Sequence, residues 1–532
     1  MQNLIIGRDR TIKLFNKHWQ HCVGSGHAKM AMRSDYARQL KRAHDELGVE
    51  RVRFHGIFCD DMHTVVGFDE VIPFPGAEKI TERSFFHCGV AIDNVLAAGV
   101  KPFVELSFMP NPLAKERNDG SKMFYGANFS QPEDFDAWAE HVGAYVEYLI
   151  HRYGKEEVET WYFEVWNEPD LVGAFFRGTQ EDYFRLYEIT VRKIKSIDEK
   201  LMVGGPATSG SRWVDDFVAF CESNDVPLDF VTTHQYAGDP LTGVKEPGAK
   251  EEATEDGFEK FNQLTQMVAN LPKDLTHLQL MRTMMGDPSE GDDFPEGRFK
   301  ANAAVVRQQA KDYPVFYTEW NFQAVLTCYH NDTRKASAYL VKTALDVEPY
   351  MQGSSVWTFS DIFEELHQFT DEFHGGFGLQ TIHGIPKPNF YALKMMGMLA
   401  KNRVDLGTDS TDKEIGVAAF EDEEKFQVLL FRQKMKQDDL PAERIDVSVA
   451  LDGLKGATLY RIDEQHCNPL KVFEEMGSPK DLTPAQVAEI ENCSSLKPER
   501  IDLAYKDGYA SFAAELGVND IYLINIEKEC AK

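Results

Sequence analysis

Apolar, strand-like runs alternate with amphipathic stretches up to about residue 402. Between these runs, apolar residues recur at helical spacing from Phe135 to Leu149, and Thr179 followed by Asp182 predicts a helix N-cap. Repeated strand–helix units predict a closed (β/α)8 TIM barrel, an α/β fold with its chemistry at the carboxyl ends of the strands. The eight runs that have the character of buried strands lie at 18–23, 51–55, 102–108, 161–166, 202–205, 230–234, 315–318 and 354–359.

The pattern changes after Asn402, where the apolar runs are shorter and several alternate with polar residues. These runs and their turn-like connections predict an accessory antiparallel β-sandwich, with a short helical insert at 483–492. We therefore predict a catalytic barrel at 11–402 and a β-sandwich domain at 403–532, with 1–10 as a candidate addition to the sandwich. The predicted sandwich strands lie at 415–420, 426–431, 445–451, 457–462, 509–514 and 521–526.

One connection between predicted barrel strands is unusually long. From 237 to 298 the chain is acidic and interrupted by proline and glycine, with one helical stretch at 258–271. Loops of this length inside a compact domain are usually functional or disordered. Because this one leaves from the carboxyl end of a predicted strand, it is placed to form a wall of an active site.

Two predicted strands end in a glutamate. One run ends in Asn167-Glu168-Pro169, and another ends in Glu319 followed by Trp-Asn. A lone glutamate at the end of a strand is as consistent with a salt bridge as with catalysis. Two glutamates at the ends of separate strands, however, would meet at the same mouth of the barrel. Glycosidases that retain anomeric configuration use two carboxyl groups about 5–5.5 Å apart, whereas inversion needs about 6.5–9.5 Å. The pattern predicts a retaining glycosidase.

The surroundings of the two glutamates suggest different roles. Glu168 follows an apolar run that includes Trp166, and such surroundings would raise the pKa of its carboxyl group, as a general acid/base needs. Glu319 is the candidate nucleophile, a role that requires an ionised carboxylate. Asn167 would bind the 2-hydroxyl group of the sugar, a contact that strengthens as the ring flattens.

The net charge limits the expected partners. The chain has 86 acidic and 57 basic residues and a formal net charge of −29, which disfavours nucleic acids, anionic membranes and polyanionic polysaccharides. A small neutral oligosaccharide is the expected substrate. The start of the chain lacks a signal-peptide pattern, no run reaches the roughly 20 apolar residues of a membrane span, and the eight cysteines are scattered singly. We expect reduced thiols and a cytoplasmic enzyme.

Several motifs carry a resemblance to a known family. Phe-Glu-Val-Trp-Asn-Glu-Pro at 163–169 is by itself typical of a broad clan of barrel glycosidases. It is joined by Trp-Thr-Phe-Ser-Asp-Ile-Phe-Glu-Glu at 357–365, His-Gly-Gly-Phe-Gly-Leu at 374–379 and Gly-Ile-Pro-Lys-Pro at 384–388, which are far more specific together. With these motifs the chain resembles the β-xylosidases of glycoside hydrolase family 39, a family that also includes α-L-iduronidases.

The resemblance implies a (β/α)8 barrel with a β-sandwich, double displacement with retention, no cofactor and a homo-oligomer, a tetramer or a dimer. It assigns Glu168 as the acid/base and Glu319 as the nucleophile, in agreement with their positions at strand ends. It also implies sugar-binding roles for His55, Asn167, His234, Tyr236, Trp357 and Glu365.

Several of these sugar-binding assignments have alternatives. His55 and His234 are also consistent with ordinary hydrogen-bonded histidines at strand ends, and Trp357 is consistent with a core residue. Glu364 competes with Glu365 because the motif repeats the glutamate. The sequence leaves these alternatives open.

The leading prediction is a retaining exo-glycosidase that releases β-D-xylosyl residues from the non-reducing ends of xylo-oligosaccharides. The alternatives are another neutral glycoside, an α-L-arabinoside or a galactoside, and with less support an α-L-iduronide, since the net charge opposes long anionic chains. Xylosidases of the family tend to read Thr-Glu-Phe-Asn-Thr-Ser-Tyr at the nucleophile, where 318–324 reads Thr-Glu-Trp-Asn-Phe-Gln-Ala. The missing aromatic hydroxyl group leaves the identity of the sugar open.

Functions from two other classes have less support. A sugar-binding protein on an inactive barrel would have lost one of the two carboxylates, and both are present. A metalloenzyme would need a ligand set, but His18, His21 and His27 form no recognisable combination with a carboxylate. No metal is predicted.

Overall fold

The structure is a computed structural model that describes residues 2–68, 72, 74–76, 81–118, 123–242, 277–365, 370–407, 409–436 and 440–529. Its strands are β1 (Gln2–Ile6), β2 (Ile12–Leu14), β3 (Cys22–His27), β4 (Arg51–His55), β5 (Val65–Gly67), β6 (Thr81–Arg83), β7 (Lys101–Leu106), β8 (Tyr162–Val165), β9 (Met202–Thr208), β10 (Phe230–Tyr236), β11 (Val315–Asn321), β12 (Gly353–Val356), β13 (Asn402–Val404), β14 (Gly416–Glu421), β15 (Lys425–Phe431), β16 (Glu443–Ala450), β17 (Leu454–Ile462), β18 (Glu499–Ile501), β19 (Ala504–Lys506), β20 (Tyr509–Leu516) and β21 (Ile521–Lys528). Its helices are α1 (Ser34–Leu47), α2 (Phe86–Ala97), α3 (Phe135–Tyr153), α4 (Lys155–Val158), α5 (Gln180–Ile197), α6 (Val214–Ser223), α7 (His277–Met285), α8 (Arg298–Gln309), α9 (Arg334–Val347), α10 (Pro388–Gly397), α11 (Pro469–Glu475) and α12 (Pro484–Ser494).

Eight parallel strands close into a barrel in chain order, from β3 and β4 through β7 to β12. The last strand pairs with the first, with Ser355 opposite Cys22, so the barrel has no free edge. One long helix follows each barrel strand, in the order α1, α2, α3, α5, α6, α8, α9 and α10. The predicted (β/α)8 barrel is confirmed. None of the described helices is long and apolar enough to cross a membrane.

The first barrel strand differs from its predicted position at 18–23. His18 lies instead in a short 3-10 turn, where its ring bonds Ser354 Oγ at 2.7 Å and the Ala344 carbonyl at 3.0 Å. The strand continues through Gly-Ser-Gly at 24–26, which carries no apolar signal. A Cβ atom at Gly24 would lie 2.5 Å from the Trp357 ring, so the close approach of these neighbouring strands requires glycine here.

Helix α5 shows how local sequence fixes an element. Thr179 Oγ1 accepts a hydrogen bond from the Asp182 amide at 3.2 Å, and Asp182 Oδ2 accepts one from the Thr179 amide at 2.9 Å. This capping box satisfies two amides at the start of the helix. The predicted N-cap is confirmed, and α5 then packs against α3 on the outside of the barrel.

Two sheets form the accessory unit. One has the order β1-β16-β20-β19, and the other has the order β18-β17-β21-β15-β14-β13-β2. Apart from the parallel pair β1–β16, neighbouring strands are antiparallel. Apolar residues from both sheets, including Ile445 and Val428, form a core of their own. The predicted accessory β-sandwich is confirmed, and the two strands at the start of the chain, β1 and β2, take part in it.

The long connection between β10 and β11 is described at its two ends. The helix predicted at 258–271 lies outside the described residues. At the returning end, α7 precedes a segment that leads into α8.

A buried ion triad holds the loop that follows β12. Lys387 is 0% exposed, and its Nζ lies 2.5 Å from Asp332 and 2.7 Å from Asp361. The same carboxylates accept the amides of Gly375 and Gly378 at 2.7 Å. Through these two carboxylates, the Lys387 cation ties the turn at 374–379 to the barrel by charge-assisted hydrogen bonds.

Lys387→Met should lower the free energy of unfolding by about 3–5 kcal/mol, because removing one partner of a buried ion pair leaves uncompensated charge. Urea unfolding followed by tryptophan fluorescence measures the change. The control is Lys394→Met, which removes a half-exposed pair with Glu46 at 2.6 Å and should cost less than about 1 kcal/mol. Equal losses in the two variants would contradict the structural role of the triad.

Candidate active site

Aromatic side chains fill the amino-terminal end of the barrel and form the floor of the site. Phe103, Phe230 and Phe316 pack there with Cys22, and all four are buried. Tyr162 stacks on Phe103 with a ring separation of 5.3 Å. Because this floor is apolar, polar side chains placed next to it must find partners within the protein.

Toward the carboxyl ends of the strands, the barrel interior is organised around Arg53 of β4, which is completely buried. Its guanidinium group donates to Glu164 at 2.5 Å, to Glu319 at 2.8 Å and to the Asn167 carbonyl oxygen at 2.9 Å. A fourth partner, Glu105, lies at 2.8 Å. Burial alone would lower the pKa of Arg53, but the surrounding carboxylates raise it, so the group stays charged.

Glu319 of β11 is held by two donors. Oε1 accepts from Arg53, and Oε2 accepts a 2.9 Å hydrogen bond from the Tyr236 hydroxyl group. Burial raises the pKa of Tyr236, so the hydroxyl group keeps its proton and remains a donor. Tyr236 of β10 thereby brings an aromatic hydroxyl group to this glutamate, although Ala324 stands where the family's xylosidases tend to have tyrosine.

Glu168 follows β8 on a strained turn. Trp166 has φ 71° and Glu168 has φ 44°, left-handed values that are costly for residues with a side chain and that the surrounding structure must enforce. Burial raises the pKa of Glu168 well above its usual value, and the nearby carboxylates of Asp170 and Asp239 raise it further. This shift favours the protonated form of Glu168, which is the form that a general acid requires.

His234 of β10 lies between the two glutamates. Its Nδ1 is 2.9 Å from Glu168 Oε1 and 3.8 Å from Glu319 Oε2. Burial lowers the pKa of His234 to about 4, so the ring is neutral. An oxygen of Glu168 lies within 4.8 Å of an oxygen of Glu319. This separation falls on the side of retention rather than inversion.

His55 has one nitrogen fixed by Glu105. Its Nδ1 lies 2.7 Å from Glu105 Oε2, and burial lowers the pKa of His55 to about 3. In the neutral ring, Nδ1 is then the donor and Nε2 the acceptor. Nε2 faces Glu319 at 3.5 Å and Glu365 at 3.8 Å. Burial and the neighbouring carboxylates raise the pKa of Glu365, which favours its protonated form.

A cleft opens over these groups and, counted out to its mouth, has a volume of about 1040 Å³. Seven of the eight predicted site residues line it: His55, Asn167, Glu168, Tyr236, Glu319, Trp357 and Glu365. His234 lies behind the lining and is placed to orient Glu168. Glu364 pairs with Arg33 at 2.8 Å and is not among the lining residues, which separates it from Glu365.

The apolar part of the lining comes from several loops. Trp357 is 3% exposed, and its ring lies 4.7 Å from that of His55. The other lining residues are Phe124, Leu171, Phe175, Ser209, Arg212, Asp239, Ala324, Val325, Leu326 and Phe377. Aromatic and aliphatic walls with a few convergent polar groups are typical of a small-molecule site.

Arg53, Glu105 and Glu164 were not predicted as site residues. Each of the three lies within a barrel strand and is separated by two positions from another polar or aromatic residue that faces the barrel interior. Arg53, for example, comes two residues before His55. That period of two was a usable signal, since charged residues repeated on one face of a buried strand must meet partners inside the barrel.

Two groups of the described side chains could offer ligands to a metal ion, Glu168 with His234 and Glu319, and Asp292 with Cys328 and His330. The first group already exchanges hydrogen bonds within itself and with Tyr236 and Arg53. In the second, the Lys335 ammonium group bonds Asp292. Protein partners therefore account for both clusters.

Comparison with known proteins identifies the family. The model for "Glycosyl hydrolases family 39" matches residues 3–285 and 296–509. The chain belongs to glycosyl hydrolases family 39. It is 34% identical over 505 residues to a β-xylosidase from Caldicellulosiruptor saccharolyticus, covering 94% of this chain and 93% of that protein. The predicted family and the predicted glycoside hydrolase class are confirmed.

Two further relatives cover almost the whole chain. A β-xylosidase from Geobacillus stearothermophilus is 32% identical over 522 residues, which are 97% of this chain and 93% of that protein. A crystal structure described as a monomeric β-xylosidase from Caulobacter crescentus has a TM-score of 0.77 and 27% identity, and covers 99% of this chain and 100% of its own. The similarity therefore includes both the barrel and the sandwich.

Asp239→Asn should move the alkaline limb of the pH profile of kcat/KM to lower pH. Burial raises the pKa of Asp239 to about 6, so above that pH it is charged and helps to raise the pKa of Glu168. In the wild type, the Tyr236 amide donates to Asp239 Oδ2 at 2.6 Å. Asparagine keeps an oxygen that can accept this hydrogen bond but removes the negative charge. Profiles from about pH 5 to 9 measure the shift, and the exposed Asp216→Asn variant is the control. An unmoved or higher limb in Asp239→Asn would contradict this electrostatic role.

Proposed function

We propose that the protein is a retaining exo-β-xylosidase that releases β-D-xylosyl residues from the non-reducing ends of xylo-oligosaccharides by double displacement. The observation that carries this proposal is the pair of glutamates at the ends of the fourth and seventh barrel strands, with oxygens within 4.8 Å of each other. The choice of xylose is supported by relatives that are 34% and 32% identical and named β-xylosidases.

In the first step, Glu319 attacks the anomeric carbon while Glu168 protonates the departing glycosidic oxygen. Arg53 and Tyr236 hold the two oxygens of Glu319 from opposite sides, so the nucleophile approaches the sugar in a fixed orientation. The bond from the anomeric carbon to the leaving oxygen breaks, and a glycosyl ester forms on Glu319. Release of the aglycone leaves Glu168 ionised.

In the second step, Glu168 acts as the base. It takes a proton from water, which attacks the anomeric carbon and releases Glu319, so that both groups return to their starting protonation states. Asn167 is the proposed partner of the 2-hydroxyl group. Its carbonyl oxygen accepts from Arg53, which leaves the amide NH₂ as the end of the side chain that serves the sugar.

Substrate binding is assigned to the other lining residues. Neutral His55 presents an acceptor nitrogen, and the carboxyl group of Glu365 lies beside it, so the two together can bind neighbouring sugar hydroxyl groups. Trp357 offers an aromatic face to the apolar side of the ring. His234 is assigned to the orientation of Glu168, and a direct contact with the sugar remains a prediction.

The cleft supports a neutral sugar over an iduronide. Arg212 is the only arginine or lysine among the described lining residues, and its Nε lies 3.1 Å from Asp170. An anionic sugar would have to compete for this cation beside several carboxyl groups. The expected homo-oligomer and cytoplasmic location remain predictions; the similar structure from Caulobacter crescentus is described as monomeric.

A panel of nitrophenyl glycosides tests the substrate. The β-D-xyloside should be cleaved with the highest kcat/KM, above the α-L-arabinofuranoside, α-L-arabinopyranoside, β-galactoside and α-galactoside. Proton NMR of the fresh product should show β-xylose first, because double displacement retains configuration. Strong cleavage of only a non-xylose glycoside would reject the substrate, and initial release of the α-anomer would reject retention.

Substitution of the two glutamates tests their roles separately. Glu319→Ala should abolish turnover by removing the nucleophile. Glu168→Ala should slow substrates with poor leaving groups most, and azide should restore deglycosylation and yield the β-xylosyl azide, because it needs no general base. Near-normal turnover in Glu319→Ala would reject the nucleophile. A loss in Glu168→Ala that is uniform across leaving groups and unaffected by azide would reject the acid/base.

A further inference from the structure

The returning end of the long β10–β11 connection supports one wall of the cleft. Leu278 and Met281 of α7 pack against an apolar cluster that contains Tyr236, Leu326 and Trp357. These three residues also line the cleft. The position of α7 therefore affects the shape of the surface that faces the sugar.

Helix α7 and the segment that follows it are both joined to the loop between β11 and α9. Arg282 donates to the Thr327 carbonyl oxygen at 3.1 Å, and Ser289 Oγ accepts from the Tyr329 amide at 2.8 Å. The same β11–α9 loop contributes Ala324, Val325 and Leu326 to the cleft lining. Helix α7 thus supports the wall that this loop contributes to the cleft.

Asp292 is the centre of this connection and is 2% exposed. It accepts hydrogen bonds from His330 Nδ1 at 2.6 Å, from Cys328 Sγ at 3.5 Å and from the Lys335 ammonium group. All three donors belong to the β11–α9 loop or to the first turn of α9. A buried carboxylate with three donors, one of them a cation, holds its partners strongly because any lost bond leaves buried charge unsatisfied.

Residues 286–295, which carry Asp292 and Ser289, lie between the two stretches that match the family model. The donors and the lining residues lie inside the matched stretches. The clamp is therefore formed between a segment outside the stretches that match the family model and a loop inside them. A feature of this kind can tune the site without changing the catalytic groups.

We propose that Asp292 is a positioning residue that clamps α7 to the β11–α9 loop and thereby sets how tightly the cleft holds the sugar ring. This inference rests on the proposed function for its substrate. The reacting carboxylates are held independently, by Arg53 and Tyr236 inside the barrel. Loosening the wall should weaken the binding of substrate and transition state alike, which raises KM and leaves kcat nearly unchanged.

The test uses the full-length chain with the double substitution Asp292→Ala/Lys335→Met. The second change removes the cation that would otherwise be left buried without its carboxylate, and methionine can pack on Phe322, over whose ring the ammonium group now lies at 5.5 Å. KM for nitrophenyl β-D-xyloside and Ki for xylose should rise about tenfold, with kcat within about threefold of wild type. Hydrogen exchange at 277–285 should become faster.

Asp293→Ala is the matched control, since this exposed neighbour pairs only loosely with Lys436, at 3.6 Å. It should leave KM, Ki and exchange unchanged. His330→Ala removes one donor to Asp292 from the partly exposed side. It should also raise KM while leaving kcat nearly unchanged, but by less than the double variant. If the double variant does not fold, this single variant decides the question.

Folded variants that match Asp293→Ala in KM, Ki and exchange would overturn the proposal, as would a loss confined to kcat. The proposed function is tested separately, because the panel of nitrophenyl glycosides is measured on the wild-type enzyme. If the glycoside panel identifies another sugar, the same split is measured with that glycoside. The exchange measurement does not depend on the substrate.

Discussion

One buried cation determines the geometry of this active site. Arg53 of β4 bonds Glu105 of β7, Glu164 of β8, Glu319 of β11 and Asn167, which follows β8, so its partners come from three other strands of the barrel. Removing a guanidinium group from water is costly, and the cost is offset only when every donor meets an acceptor in good geometry. The same condition that stabilises the barrel interior therefore also fixes Glu319, the proposed nucleophile, and Asn167 relative to each other.

The two candidate catalytic glutamates, Glu168 and Glu319, illustrate how the surroundings of a side chain suit it to one of two roles. Glu319 lies against a cation and a phenolic donor, whereas the environment of Glu168 combines burial with the negative charges of Asp170 and Asp239. The first set of neighbours favours a fixed carboxylate, and the second favours a proton. Pairs of carboxyl groups whose surroundings differ in this way define the acid and the nucleophile in a glycosidase.

The sequence predicted what local patterns encode. Apolar runs marked the barrel strands, and the two glutamates at strand ends, which the sequence selected, line one cleft in the structure. It missed what depends on contacts between distant segments. The Gly-Ser-Gly stretch of β3 carries no apolar pattern, although its glycine is needed beside Trp357. The spacing of Arg53 from His55 indicates that its side chain faces the barrel interior. Arg53 was nevertheless not selected, because the sequence does not show which distant carboxylates it meets there. The association of Asp292 with Cys328 and His330 likewise exists only after folding.

Net charge and local charge are different constraints on the substrate. The balance of −29 disfavours approach of a long polyanion, but at physiological ionic strength charges separated by more than about 8 Å are largely screened. Discrimination between a neutral and an anionic monosaccharide must therefore come from groups in the cleft. Among the cleft residues that the structure describes, the one arginine, Arg212, is engaged by Asp170, and the proposed nucleophile, Glu319, already takes one bond from Arg53. A sugar that carries only hydroxyl groups finds donors and acceptors in this cleft without having to displace an existing ion pair.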